Sequence, residues 1–144
     1  MTESLRTESQ GEVMKMKTAV MKQIKEMTDN FKPDIAINPH NEKTYIADNS
    51  NDRVQILNPD LTFSGSFGSY GSDDGQFQNP FDVAFDSSGN VYMADFNNHR
   101  IQVFTSEGEF LRKFGKNGRG NGELNQPTSI SIDSDNVACF SVHV

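Results

Sequence analysis

The chain has 144 residues, which is enough for one domain of ordinary size. Hydrophobic residues make up 34% of it and the formal net charge is −7, so a large nucleic-acid-binding surface is disfavoured because acidic proteins repel phosphate groups. Cys139 is the single cysteine, which excludes an internal disulfide and a cysteine-rich zinc site.

The first residues contain neither a basic flank followed by an apolar core nor any apolar run of about 18 residues. We therefore expect no signal peptide, no membrane association and a cytoplasmic location.

Two kinds of segment precede residue 33. Residues 1–11 are polar and aperiodic, and we expect them to be disordered. Residues 12–32 place apolar side chains every three or four positions, which predicts an amphipathic helix. These apolar positions are Val13, Met16, Val20, Ile24, Met27 and Phe31. Pro33 ends the helix. The helix either docks on the following domain, ends a coiled coil, or lies on a membrane surface.

A repeat begins after this segment. "DNSNDRVQIL" at residues 48–57 and "DFNNHRIQVF" at residues 95–104 share their Asp, Asn, Arg and Gln positions at an offset of 47 residues. Phe67 and Phe114, and Pro80 and Pro127, keep the same offset. A fixed period of 20–50 residues predicts a solenoid, a propeller or an array of small units.

Each copy contains four short apolar-rich runs separated by Gly, Asn, Asp and Ser, which predicts a four-stranded antiparallel sheet. Such sheets bury both apolar faces when they stack around an axis. We predict an all-β partial β-propeller, with blade 1 at residues 33–79, blade 2 at 80–126 and the start of a third at 127–144. The tail "VACFSVHV" departs from the repeat.

The two decapeptides, each followed by a glycine-rich stretch such as "GKNGRGNGELNQP", resemble the NHL repeat over about residues 33–137. With the preceding helix, the chain is similar to the tripartite-motif (TRIM) NHL proteins, in which a RING and B-boxes precede a coiled coil. The resemblance implies a propeller that recognises the partners or substrates of a ubiquitin ligase. It leaves single-stranded RNA binding as an alternative. The zinc ligands of a RING are absent from this sequence, so we expect no ligase activity in the chain itself.

The repeated decapeptide contains two sets of candidate residues. Asp48 with Arg53, and Asp95 with Arg100, are predicted to pair across a turn and hold each blade together. The turns between them could instead form a partner-binding face, whose residues would be Asn51, Asp52, Asn97, Asn98 and His99.

The basic residues after the second copy form the alternative site. Arg112, Lys113, Lys116 and Arg119 could bind single-stranded RNA, or could be a solvated strand edge. His40, His99 and His143 lie at separate places in the sequence, and no twelve-residue calcium loop occurs. We therefore expect no catalytic residues, metal or cofactor, and we expect a protein partner. Self-association through the helix or through open blade faces is also possible.

Overall fold

The structure is a computed structural model that describes residues 34–142. Within that range the chain forms ten β-strands and one short 3-10 turn, and no helix there could span a membrane. The predicted disordered residues 1–11 and the predicted helix over residues 12–32 lie outside the described part of the chain. The prediction of an all-β fold built from four-stranded antiparallel sheets is confirmed.

The first sheet contains four strands in sequence order. They are β1 (Asp34–Ile37), β2 (Thr44–Asp48), β3 (Arg53–Leu57) and β4 (Phe63–Phe67). The register pairs Asp48 with Arg53 at one end of the β2–β3 hairpin. That pairing places the first decapeptide across a tight turn.

The second sheet repeats this order. It contains β5 (Pro80–Phe85), β6 (Val91–Asp95), β7 (Arg100–Phe104) and β8 (Phe110–Phe114). Asp95 pairs with Arg100, and the register between the last two strands shifts at the same repeat position as in the first sheet. The two copies therefore share their hairpin turn and their irregularity.

A third sheet follows, with β9 (Pro127–Ile132) paired to β10 (Ala138–Val142). The second of these strands comes from the tail that lacks the repeat's Asp, Asn and Arg. It still pairs, because backbone hydrogen bonds in a sheet do not depend on which side chains the strand carries.

The apolar core lies between the sheets. One cluster joins the first two sheets and includes Tyr45, Val54, Phe77 and Met93, all of them fully buried. A second cluster joins the second and third sheets around Ile101 and half-buried partners such as Phe140. Because side chains alternate along a strand, neighbouring residues Tyr92 and Met93 enter different clusters, and the second sheet is covered on both faces.

The loop between the first two sheets approaches the core closely. Gly68 has a φ of 97°, and a Cβ atom there would lie 2.5 Å from the ring of Phe77. Glycine is needed at this position for its left-handed backbone and for the space that the aromatic ring takes.

We expect Met93→Ala to lower the free energy of unfolding by about 2–5 kcal/mol, because it leaves a cavity between the first two sheets. Leu111→Ala is the control, since Leu111 is 45% exposed on β8 and its truncation should change stability by about 0.5 kcal/mol or less. Urea unfolding measures both. Equal effects of the two substitutions would contradict the stacked-sheet core.

Candidate functional site

The candidate site is the end of the stack at which β2 turns into β3 and β6 turns into β7. The register brings the start of β5 to the same end, because Pro80 pairs with Asp95. We call this region the turn end; it consists of residues 49–52, 68–79, 96–99 and 115–126. It contains both repeated turns and the two glycine-rich loops.

The carboxylate of Asp95 is the centre of the turn end, and it is fully buried. One oxygen accepts a hydrogen bond from the Gln78 backbone N–H at 2.8 Å. The other accepts from Asn98 at 2.9 Å, from Arg100 at 2.8 Å and from Gln102 at 3.2 Å. Four donors from the turn, the next strand and the preceding loop therefore converge on one carboxylate.

These donors also hold the loop that arrives from the first sheet. The terminal nitrogens of Arg100 donate to the carbonyl oxygens of Ser72 and Asp73, each at 3.0 Å, and of Gln76 at 2.7 Å. Gln102 donates to the same Gln76 carbonyl at 2.7 Å and accepts from the Gly75 N–H at 2.9 Å. The ion pair thus joins the second sheet to its incoming loop as well as pairing across its own turn.

Burial raises the pKa of the Asp95 carboxyl, while the hydrogen bonds from Gln78, Asn98 and Arg100 and the charge of Arg100 act in the opposite direction. A guanidinium in direct contact with a carboxylate favours the ionised form of both groups. The network is therefore a buried ion pair whose remaining donors are used by the loop.

The equivalent ion pair of the first sheet has the same internal geometry but is open to solvent. Arg53 donates to Asp48 at 3.1 Å, and the side chains are 41% and 15% exposed, whereas those of Arg100 and Asp95 are 7% and 0% exposed. Burial raises the pKa of Asp48, but hydrogen bonds from Asn51, Arg53 and Gln55 outweigh it and hold the pKa below its ordinary value. The two ion pairs have equivalent positions and different surroundings.

The structure places the residues of the predicted partner-binding face within this hydrogen-bond frame. Asn98 donates to the Gly71 carbonyl oxygen at 2.8 Å. Asp52 accepts from the Asn79 N–H at 2.7 Å, and His99 accepts from the Gln126 N–H at 3.0 Å, so each turn holds the loop that leads to the next sheet.

The last residue of each turn has a left-handed backbone. These residues are Asp52 and His99, at φ values of 52° and 53°. The exposed members of the predicted face are Asn51 and Asn97. The turns therefore combine structural residues with a small exposed polar surface.

Exposed aromatic side chains lie at the same end, and the sequence analysis did not identify them. Phe81, 40% exposed at the start of β5, stacks on Phe96 of the 3-10 turn with ring centroids 5.0 Å apart. Tyr70, in the loop that Arg100 holds, is 71% exposed. The sequence gives no direct signal for this contact, since Phe81 and Phe96 come together only through the register that pairs their neighbours Pro80 and Asp95.

The predicted basic cluster does not form one patch. Arg112 and Lys113 are neighbours on β8, so their side chains point to opposite faces of the sheet. Arg112 donates to the hydroxyl of Tyr92 at 2.8 Å, on the face toward the third sheet, while Lys113 pairs with Asp74 at 2.6 Å, in the loop before the second sheet. Lys116 and Arg119 are exposed in the loop that follows.

A second pair of carboxylates lies where the first strands of the three sheets meet. We call these strands, β1, β5 and β9, the inner strands. Asp34 accepts from the Val83 N–H at 3.0 Å, and Asp82 accepts from the Ile130 N–H at 2.6 Å, so each first strand hydrogen bonds to the first strand of the next sheet. Burial, together with the hydrogen bond and the charge of the neighbouring Asp34 carboxyl, raises the pKa of Asp82 to about 7. Protonation of Asp82 therefore favours the folded junction.

Within Asp34–Val142, no three His, Cys, Asp or Glu side chains are grouped so that they could hold a metal ion. The exposed thiol of Cys139 lies on β10, away from the turn end. The turn end itself presents hydrogen-bonding groups and aromatic side chains.

Comparisons with known proteins agree with this architecture. Residues 77–104 match the family model described as NHL repeat. A search of curated protein sequences gave no match. The structure is similar to a streptogramin B lyase, with a TM-score of 0.59 and 17% identity over 80% of this chain and 35% of that one.

Two further structures show the same likeness. A catalytically inactive virginiamycin B lyase from Staphylococcus aureus with quinupristin has a TM-score of 0.59 and 17% identity over 78% of this chain and 35% of that one. A protein of unknown function from Bacteroides caccae has a TM-score of 0.53 and 11% identity, over 76% and 38% of the two chains. The chain thus contains an NHL repeat within a propeller-type repeat fold, and it spans 35% to 38% of these proteins' length.

We expect Arg100→Ala to lower the free energy of unfolding by about 3–5 kcal/mol, because it removes the cation that pairs with a buried carboxylate and the hydrogen bonds to three loop carbonyl oxygens. Arg53→Ala, at the equivalent exposed position, should lower it by about 1 kcal/mol or less. Chemical denaturation of the two variants in parallel gives the difference. Similar values for both would show that the buried loop contacts contribute nothing to stability.

Asp82→Asn should reduce the pH dependence of stability. The folded-state pKa of Asp82 is raised, so its stabilising contribution is complete below about pH 4 and is lost as the pH rises through about 7. The asparagine keeps an acceptor for the Ile130 N–H and removes the ionisation, so the fall in unfolding free energy from pH 4 to pH 7 should shrink by about 1–2 kcal/mol. Denaturation across that range measures it, with exposed Glu107→Gln as the charge-matched control. An unchanged slope would contradict the assignment.

Proposed function

We propose that the protein is a non-catalytic interaction module that binds a protein partner through its turn end. The observation that carries this proposal is the exposure of Tyr70 and Phe81, with half-buried Phe96 stacked on Phe81, among hydrogen-bonded polar turns. Aromatic residues are enriched at the centres of protein interfaces, and a rim of polar groups around them is typical of such surfaces.

The rigidity of the surrounding turns supports a binding role. The loop that carries Tyr70 is held by Arg100 and Gln102, and the turn that carries Phe96 is tied to it through Asn98. A partner would meet side chains that are already in place, which lowers the ordering cost of association. Asn51 and Asn97 would then form the polar rim beside the aromatic residues.

The NHL repeat places the proposal in a wider context. We propose that the chain is the partner-recognition part of a ubiquitin ligase of the TRIM-NHL kind, acting in the cytoplasm, with the RING located outside this sequence. The lyases with which it shares a fold are below 25% identical, and that likeness speaks to fold alone.

Single-stranded RNA binding, the alternative, would need the basic residues to act together. All four cations are exposed, but Arg112 is engaged with Tyr92 and Lys113 pairs with Asp74, on opposite faces of β8, while Lys116 and Arg119 lie in the following loop. Protein binding through the aromatic surface is therefore the function that the geometry supports best.

Truncation of the aromatic residues tests the proposal. We expect Tyr70→Ala and Phe81→Ala to reduce the yield of a cross-linked protein partner from cell extract at least about tenfold, since truncating an anchor residue typically weakens binding by 2 kcal/mol or more. Phe63→Ala is the matched control, because Phe63 is 64% exposed at the opposite end of the stack and should not alter capture.

The salt dependence of capture separates the alternatives. A partner bound through aromatic contacts should persist from about 50 to 200 mM salt, whereas RNA binding would weaken steeply over that range and fail after nuclease treatment. Capture that survives both aromatic substitutions, or that depends on RNA, would refute the proposed partner surface.

A further inference from the structure

Two positions at which the copies of the repeat differ lie between the first and second sheets. Asp52, the last residue of the β2–β3 turn, is replaced by His99 in the next copy. Phe81, near the start of β5, is replaced by Thr128 near the start of β9. The turn end therefore combines a carboxylate with an aromatic ring between the first two sheets, and has neither at the equivalent positions between the second and third.

The backbone contact that Asp52 makes does not need a negative charge. Asp52 accepts a hydrogen bond from the Asn79 N–H at 2.7 Å, and His99 accepts one from the Gln126 N–H at 3.0 Å. An imidazole nitrogen thus makes the same contact in the next copy. Among residues 34–142 no lysine or arginine forms an ion pair with Asp52. Its charge is therefore not explained by the contacts that join the sheets.

One residue joins this carboxylate to the aromatic pair. Asn79 donates its N–H to Asp52, and its carbonyl oxygen accepts from the Phe96 N–H at 3.3 Å. Phe96 in turn stacks on Phe81, with ring centroids 5.0 Å apart and an interplanar angle of 26°. Phe96 covers one face of the Phe81 ring, and Phe81 remains 40% exposed. The carboxylate and the exposed ring are thus neighbours on one rigid part of the turn end.

The loop between the two sheets adds to the negative potential around the ring. Residues 68–79 contain Asp73 and Asp74 and no lysine or arginine. Lys113 pairs with Asp74 at 2.6 Å, while Asp73 is exposed and has no ion pair among the described residues. A cation from the partner complements this surface better than an anion or an apolar group.

Arginine is the side chain that matches both the ring and the carboxylate. Its guanidinium is planar, stacks on aromatic faces, and donates hydrogen bonds in a fork that fits a carboxylate. A lysine ammonium is a strongly hydrated point charge without a plane to lay on the ring. An apolar side chain would cover Phe81 and remove water from Asp52 without giving the carboxylate a partner.

We propose that Phe81 and Asp52 bind an arginine side chain of the protein partner, with the guanidinium stacked on the exposed face of Phe81 and hydrogen bonded to the Asp52 carboxylate. This inference rests on the proposed function, because it names the group of the partner that the aromatic surface receives. A cation enclosed between a ring and a carboxylate is screened by salt much less than an exposed one, so capture should still tolerate moderate salt.

Substitutions that keep the shape of the site test the proposal in the capture assay. Asp52→Asn keeps an acceptor for the Asn79 N–H and removes the charge, so we expect capture to fall about tenfold. Phe81→Leu keeps an apolar side chain without a π face and should lower capture about fivefold, whereas Phe81→Tyr should preserve it. Asp60→Asn is the charge-matched control, because Asp60 is exposed at the opposite end of the stack.

A titration tests the site without the partner. We expect N-acetyl-arginine amide to give saturable NMR shifts in the full chain at millimolar concentration, centred on Phe81 and Asp52. The citrulline derivative has nearly the same shape without the charge, and the lysine derivative has the same charge without the plane. Both should bind at least about threefold more weakly, and Asp52→Asn should weaken binding of the arginine derivative about tenfold.

The two assays separate the possible failures. Capture that Tyr70→Ala and Phe81→Ala abolish, but that Phe81→Leu and Asp52→Asn preserve, would overturn the arginine site and leave the proposed partner surface standing. Capture that both alanine substitutions leave intact would refute the proposed function, while saturable shifts specific to the arginine derivative would still support the site. Equal shifts with the arginine and citrulline derivatives, or no shifts with either, overturn the inference.

Discussion

The buried carboxylate of Asp95 requires hydrogen-bond donors, and the residues that supply them determine the structure of the turn end. A charge removed from water without partners is strongly destabilising. The donors come from the following turn, the adjacent strand and the loop before the sheet, so the carboxylate is satisfied when all three are in place. Local hairpin formation and the joining of consecutive sheets are thereby coupled. The recurrence of the decapeptide reflects this coupling, since each copy contains its own acceptor and donors.

Apolar burial supplies the complementary constraint. Each sheet has side chains on two faces, and the second sheet is covered on both, by Tyr45 and its neighbours on one side and by Ile130 and Phe140 on the other. The carboxylates of Asp34 and Asp82 add hydrogen bonds between successive inner strands. The stack is thus tied at its inner strands by carboxylates and at its turn end by the Asp–Arg pair and the loop it holds, with apolar contacts between.

The periodic features could be predicted from sequence, because the strand pattern and the 47-residue offset depend on local composition and repetition. The four-stranded sheets follow from them, and so does the proximity of Asp95 to Arg100. The contacts of the loops could not be predicted, since Arg100 reaches residues 24 to 28 positions away through backbone carbonyl oxygens that any sequence offers. The division of the basic cluster was predictable in principle, because adjacent strand residues such as Arg112 and Lys113 face opposite ways. Predicting the stacking of Phe81 on Phe96 would have required the register of β5 against β6.

Comparison of the two copies of the repeat shows that the same residue in the same local sequence can have different surroundings. Arg53 and Arg100 have the same neighbours in sequence and the same contact with an aspartate, yet one is exposed and the other is buried beneath a loop. The difference lies in what covers each arginine, because the glycine-rich loop of residues 68–79 lies over Arg100, whereas the segment before the first sheet lies outside the described residues. The repeated decapeptide fixes the contact of each arginine with its aspartate, and the loop that arrives from the neighbouring sheet decides how far that contact is buried.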